Sequence, residues 1–448
     1  MNCVDTNPFA FRIEWVQYPV VLNMKKHFVS SMSLLLVLAG VINHSRAGEP
    51  VLKKGARLAI VGDSITEQKL YSRFIETYLL ACMPELEVQC IQLGWGGERA
   101  PGFAGRMEND LVPWKPDVVT TCYGMNDGGY RQYDEGIGKA YESGMRRIID
   151  RMKKAGAIVV VGSPGVVDST TWAANDPDRD KVYNANLKQL SGIAQKLARE
   201  NKFNFANVFD AMMDAMVKAK AALGKDYPVA GRDGVHPGAN GHLVMAYAFL
   251  KGLGMDGNLG TITVDFKSGN ATAEDGHRVV SSSKGSVKLE STRYPFCFDG
   301  DDKDPNRTRS ILQFVPFNQD LNRMTLVVKN LSTDKASVKW GAATKTFTRE
   351  QLAGGVNLAA EFADHPLVAP FNKVMQAVAA KQGFETPMIK NQINGFRFYE
   401  SAFAKDAEVK AATAVLRARL IARDNELHAA ARDSVKPVRH EIQIIPRQ

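Results

Sequence analysis

Between residues 57 and 253, short apolar runs alternate with segments whose apolar positions recur at helical spacing. Residues 57–61, 87–93, 118–123 and 157–162 read as strands rich in apolar residues, most plainly at 158–161, and residues 204–209 form a weaker fifth. Residues 71–80, 141–154 and 184–200 show the helical spacing of apolar residues, and residues 240–250 read as a further helix. Strands that are apolar on both faces and alternate with helices predict a parallel sheet covered on both sides. In such sheets ligands bind beyond the carboxyl ends of the strands, so the loops after the runs are where chemistry is expected.

The pattern changes near Met255. Residues 261–266, 286–290, 310–315, 324–329 and 336–340 read as strands separated by Gly, Asn and Asp, which predicts a small antiparallel β domain. From Thr348 helical spacing returns. Thr348 and Gln351 have the spacing of a capping box, residues 370–382 and 402–431 read as helices, and the chain after Pro437 is expected to fray. The resulting division is a leader (1–47), an α/β domain (48–256), a β-rich domain (257–348) and a helical C-terminal segment (349–448). A chain of 448 residues exceeds one compact core, which agrees with several units.

The leader changes the picture of where the protein works. Met24-Lys25-Lys26-His27 is a short basic start, residues 32–42 are an apolar run too short to span a bilayer, and Ser45-Arg46-Ala47 offers small residues for a signal peptidase. A signal peptide cleaved after Ala47 is expected, with Met24 as the true start and export to the periplasm or beyond. No stable membrane insertion is expected after cleavage. Hydrophobic residues make up 45% and charged residues 23%, as in an ordinary globular protein, and the formal net charge of +9 is spread without a dense Lys/Arg block, so no nucleic-acid partner is expected. No CxxC pair occurs, which argues against a zinc site or redox dithiol; Cys122 falls in a core strand, whereas Cys82 and Cys90 flank a turn and are left open as a pair.

Four loops carry candidate chemistry. Gly62-Asp63-Ser64 follows the first strand and places a serine at a strand-to-helix turn, where the helix N-terminus favours developing negative charge. Gly94-Trp95-Gly96-Gly97 follows the second strand, and its glycines let backbone N–H groups approach a bound atom. Gly124-Met125-Asn126-Asp127 follows the third, with an amide able to donate to an oxyanion. Asp233-Gly234-Val235-His236-Pro237 precedes the last helix and presents a base with a carboxylate three residues before it, the pair a serine nucleophile needs. Taken singly, each is also ordinary turn chemistry; together they fall at one sheet edge.

In that order the segments IVGDSIT, LGWGGERA, YGMNDGG and DGVHPG resemble the four blocks of the SGNH/GDSL hydrolases, over about half of the chain after the leader. The resemblance implies a three-layer α/β/α, flavodoxin-like domain with a five-stranded parallel sheet. It implies Ser64 as nucleophile, His236 as base and Asp233 as its orienting carboxylate. The oxyanion hole it implies consists of the Ser64 and Gly97 N–H groups and the Asn126 amide, and no metal or cofactor is expected. Gln92 departs from the pattern, since many relatives carry Asn there. Trp172 lies in a polar loop with Asn175, Asp176, Arg179 and Asp180, and suits either a sugar ring or plain packing; with Asp63 it is a candidate substrate contact. Export, the polar loop, the β domain and a softer likeness to secreted GDSL-like proteins of glycan-degrading bacteria point to a carboxylic, O-acetyl ester on carbohydrate. A lysophospholipase or aryl-esterase of the same fold, and a non-catalytic glycan binder, remain the alternatives. Oligomeric state is not predicted.

Overall fold

The computed structural model describes residues 50–168, 172, 176 and 178–448, and these form one compact unit. The expected leader, its cleavage site and Asn175 lie outside the described residues. Strands β1 (Arg57–Gly62), β2 (Gln89–Gly94), β3 (Val118–Cys122), β4 (Ile158–Gly162) and β5 (Phe205–Ala206) form a five-stranded sheet in the order β2-β1-β3-β4-β5. Every pairing is parallel. The alternation of side chains along β1 explains why the run is apolar throughout. Leu58 and Ile60 enter one core with Ile75, Met212 and Phe249, and Ala59 and Val61 enter the other with Phe103, Ile148 and Leu190.

Helices cover both faces. Helix α1 (Ser64–Glu67) is a single turn, followed by α2 (Tyr71–Ala81), α3 (Ala100–Asp110), α4 (Glu135–Lys154), α5 (Arg179–Asn201), α6 (Val208–Leu223) and α7 (Ala239–Gly252). Helices α2, α6 and α7 pack on one face, and α3, α4 and α5 on the other, so the three-layer arrangement stands. The helices α3 and α6 were not read from the sequence. Helix α3 begins Ala-Pro-Gly, and its apolar residues are too few to set a period. Helix α6 follows a two-residue strand that merges with it in the apolar run.

The register sets the site. Gly62 of β1 lies level with Gly94 of β2 and Cys122 of β3, so these strands end on one line. Ser64, Gly96–Gly97 and Asn126 all follow within a few residues of it. Gly94 is required there, because a Cβ would collide with the backbone of Glu67 in α1.

Beyond Gly252 two further sheets form, from β6 (Asn258–Asp265), β7 (Ala271–Ala273), β8 (His277–Ser283), β9 (Ser286–Ser291), β10 (Arg323–Lys329), β11 (Lys335–Trp340), β12 (Ala343–Thr348), β13 (Val356–Asn357) and β14 (Val438–Arg447). One has the order β13-β10-β6-β7 and the other β12-β11-β14-β9-β8. The structure departs from the sequence pattern at three places. The β region is not wholly antiparallel, because β6 and β10 pair in parallel. Residues 310–315 are not a strand; Arg309–Phe314 is a 3-10 helix whose Ser310 and Ile311 are buried against the α/β domain. The end of the chain is not frayed, because β14 is the central strand of its sheet and buries His440, Ile442 and Ile444. The tail therefore mixes helix and strand.

Between β12 and β14 lie a capped turn, α8 (Val368–Pro387) and α9 (Ala407–Arg432). Thr348 and Gln351 do form a capping box. Cys82, Cys90, Cys122 and Cys297 are all buried free thiols, so Cys82 and Cys90 are not paired. Among the described residues no helix is long and apolar enough to cross a membrane.

Candidate active site

Asp63 and Ser64 end β1 and begin α1. The Asp63 carboxylate accepts from the Ile65 amide at 3.0 Å and caps the turn, which leaves the next side chain at the sheet edge. Ser64 Oγ lies 2.9 Å from His236 Nε2. His236 Nδ1 lies 2.7 Å from Asp233 Oδ2, while Asp233 Oδ1 accepts from the amides of Val235 (3.0 Å) and His236 (2.8 Å). One loop thus supplies both groups and fixes their mutual orientation. Gly234 at φ +77° makes this loop possible, since a Cβ there would run into Asp168 and Trp172. Partial burial works to raise the Asp233 carboxyl, but the His236 and Val235 amides and the imidazole outweigh it and hold the group below its ordinary value. Asp233 is therefore an anion that keeps a proton on Nδ1 and leaves Nε2 to accept from the serine.

His242, on α7, is not a second base. It is fully buried, accepts from the Tyr71 amide at 3.2 Å through Nδ1, and is held neutral by burial at about 3.

Asn126 Nδ2 donates to the Glu98 carbonyl at 3.1 Å, and Asn126 Oδ1 accepts from Tyr130 Oη at 3.1 Å. This assigns the amide and leaves its second hydrogen to point elsewhere. The turn carrying it is pinned by Asp127, which accepts from the amides of Gly124 (3.0 Å) and Ala100 (2.9 Å) and is pushed up to about 6 chiefly by burial. Glu98 is itself locked, with Arg106 at 2.6 Å and Tyr123 Oη at 2.9 Å on its carboxylate. Gly97 is exposed at φ +73°. Among the described residues neither its N–H nor that of Ser64 takes a hydrogen-bond partner. The arrangement presents a hydroxyl against a base, a carboxylate behind the base, and unengaged donors on the neighbouring loops.

The two candidate substrate contacts fare differently. Asp63 is only 2% exposed, so it supports the turn and does not face a ligand. Trp172 is half-buried beside Tyr130 and Tyr183, at ring distances of 5.9 and 5.5 Å, with the Arg179 guanidinium 4.8 Å from its ring. That aromatic group abuts both Gly234 and, through Tyr130, Asn126. Tyr130, Glu98 and Asp127 were missed in the sequence. Asp127 stands inside the third block, one residue past Asn126, and could have been read from it; Glu98 and Tyr130 act through contacts no spacing reveals.

Residues 60–244 match the GDSL-like Lipase/Acylhydrolase family, a span that contains Ser64, Gly97, Asn126, Asp233 and His236. An acetylxylan esterase of Geobacillus stearothermophilus is 26% identical over 225 residues, which cover 45% of this chain and 95% of that protein. The crystal structure of an acetylxylan esterase from the same organism is 23% identical and covers 46% of this chain and 97% of its own, with a TM-score of 0.38. A gut microbial diltiazem-metabolizing enzyme is 20% identical, with a TM-score of 0.69 over 90% of this chain and 100% of its own. That last likeness extends the shared fold through the β sheets and the tail.

Proposed function

We propose that this chain, an ester-bond hydrolase carrying a GDSL-like lipase/acylhydrolase domain over residues 60–244, is a secreted serine esterase that removes O-acetyl groups from carbohydrate. The observation that carries the reading is the contact of Ser64 Oγ with His236 Nε2 at 2.9 Å, backed by Asp233 at 2.7 Å on the other ring nitrogen. In the reaction Ser64 Oγ attacks the ester carbonyl while His236 takes its proton. The oxyanion is held by the Ser64 and Gly97 N–H groups and the free Asn126 amide hydrogen. The tetrahedral adduct collapses, the C–O bond to the alcohol breaks, and the alcohol leaves with the proton from His236. Water then attacks the acyl-serine by the same route and releases the acid and Ser64. Asp233 stays ionised and stabilises the imidazolium formed in each half.

The acetyl and carbohydrate assignments are supported by the acetylxylan esterase relative and by the aromatic group at Trp172, whose ring offers a sugar face beside the catalytic loop. Export is supported by the basic, apolar and small-residue order of residues 24–47. The test is release of acetate and of longer acids from nitrophenyl esters by the full chain and by Ser64→Ala. Acetate release that exceeds longer acids and vanishes in the variant is expected. Equal turnover by Ser64→Ala, or a preference for long acyl chains, would overturn the nucleophile or the acetyl assignment respectively. Sequencing the N-terminus of exported protein is expected to begin at Gly48.

A further inference from the structure

Helix α8 lies outside residues 60–244, yet its side chains follow the free edge of β2 toward the glycine loop. Lys381 Nζ donates to the Cys90 carbonyl at 2.8 Å, and Glu385 Oε2 accepts from the Gln92 amide at 3.1 Å. These are backbone groups that an edge strand otherwise leaves unpaired. Next along the helix, Thr386 Oγ1 accepts from Lys69 Nζ at 3.3 Å, and Gln92 Nε2 lies 3.5 Å from it. The chain then enters a π-helical turn, Met388–Ile393, a form that often marks functional positions. This turn is tied down at its far end, where the Ile393 carbonyl accepts from Asn109 Nδ2 at 2.9 Å and Asn394 Nδ2 donates to Asp110 at 3.1 Å.

Within the turn Lys390 Nζ lies 2.6 Å from Glu67 Oε1, and its ammonium sits 5.0 Å from the centre of the Trp95 ring. The other carboxylate oxygen of Glu67 accepts from the Gly96 amide at 2.5 Å. Glu67 is three residues past Ser64, and Gly96 is one residue before Gly97. We propose that Lys390 is a positioning residue for the oxyanion loop, so that the C-terminal tail completes the active site of the hydrolase domain. The inference rests on the hydrolase reading above. It has two physical parts. The Lys390–Glu67–Gly96 chain, with Trp95 under the same ammonium, fixes the turn from which Gly97 donates. The ammonium also neutralises a carboxylate that, left bare, would oppose the negative charge growing on the oxyanion a few residues away. The pair is partly buried, with side-chain exposures of 26% and 24%, where screening by water is weaker than at the open surface.

The test uses the full chain with Lys390→Met, Lys390→Arg, Glu67→Gln and the Lys390→Met/Glu67→Gln pair. Two rates are read: turnover of nitrophenyl acetate, as kcat and KM, and phosphonylation of Ser64 by a fluorophosphonate, which also builds charge at the oxyanion site. Lys390→Met is expected to lower kcat and the labelling rate about tenfold with KM changed less than about twofold, the pattern of a misplaced transition-state donor. Lys390→Arg is expected to recover most of the loss. In the Glu67→Gln background, where a neutral amide still accepts from Gly96, Lys390→Met is expected to cost less than about threefold. A tail that only ties domains together gives a different result: equal losses in both backgrounds, tracking a fall in unfolding stability. That result, or wild-type rates in Lys390→Met, overturns the inference and leaves the hydrolase reading standing. A wild-type protein that neither cleaves the ester nor takes the label overturns the hydrolase reading, and the inference falls with it.

Discussion

The carboxyl edge of the parallel sheet and its lateral edge along β2 hold the same kinds of side chain in opposite circumstances. At the carboxyl edge the His236 and Asp233 side chains are 36% and 57% exposed, and the imidazole bridges a carboxylate and a hydroxyl. At the lateral edge Glu76, Lys381 and Glu385 are fully enclosed between α2, α8 and β2, with Gln382 donating to Glu76 at 2.8 Å and His428 3.9 Å from it. Burial presses Lys381 toward its neutral form, but the Glu385 and Glu76 carboxylates outweigh it and hold the ammonium charged. Burial pushes Glu385 the other way, toward its protonated form. One set of groups is free to exchange protons with a substrate. The other is committed to an edge strand and to two helices from distant parts of the sequence. Access, and not residue type, separates chemistry from support.

Substitutions should therefore dissociate. The largest effect is expected at the open edge: His236→Ala should lower kcat on nitrophenyl acetate by roughly 10⁴-fold or more, because in the proposed mechanism Ser64 then lacks its base. Its urea midpoint should stay close to wild type, since the side chain is partly exposed and packs little. A comparable fall in stability would mean that the histidine supports the fold as the buried group does. The enclosed edge should show the reverse. Lys381→Met leaves the Glu76 carboxylate buried without its cation and the Cys90 carbonyl without its donor, and should cost about 3–5 kcal/mol in urea unfolding. The kcat of the folded fraction should remain within a few-fold of wild type, and Lys381→Met/Glu76→Gln/Glu385→Gln should regain much of the lost stability. An unchanged midpoint in the single variant would show that the cluster relaxes or hydrates in solution.

How far each edge was legible follows from how it is built. The carboxyl edge could be read because its residues come in short local blocks after apolar runs: Gly62-Asp63-Ser64 fixes a turn by itself, and Asp233 and His236 share one loop. Their convergence needed only the parallel order of the strands, which the apolar runs imply. The lateral edge was not legible. Lys381 falls at the end of the helix read over residues 370–382, Glu385 and Lys390 lie beyond it, and their partners Glu76, Cys90 and Glu67 stand roughly 300 residues earlier in the sequence. The same limit explains β14. Residues 438–447 alternate like a strand, but nothing local says that β11 and β9 leave a slot between them. It also explains Asp63, which a motif places beside Ser64 but whose burial depends on what closes over it.

Asp63 sits between the two regions, one residue from Ser64 yet enclosed like the lateral cluster, and it sharpens the comparison by the smallest effect. Burial, offset in part by the Ile65 amide and aided by Asp127 and Glu98, raises its carboxyl from 3.8 to about 7. The sign follows from proton counts: between those values the folded protein keeps a proton that the unfolded chain has released, so stability falls as pH rises through this window. At about 1.4 kcal/mol per unit the shift sets a ceiling of ~4 kcal/mol, and relaxation around the ionised group should reduce the effect to ~2 kcal/mol. Asp63→Asn keeps an acceptor for the Ile65 amide and cannot ionise. Relative to wild type it should therefore match below pH 4, gain stability progressively up to about pH 7, and hold a constant advantage above it. Urea unfolding of both proteins across that range measures the difference. A gap that does not change with pH would mean that Asp63 ionises in the folded protein as it does in the unfolded chain, and that the boundary between the enclosed and the open groups lies deeper than the first residue behind Ser64.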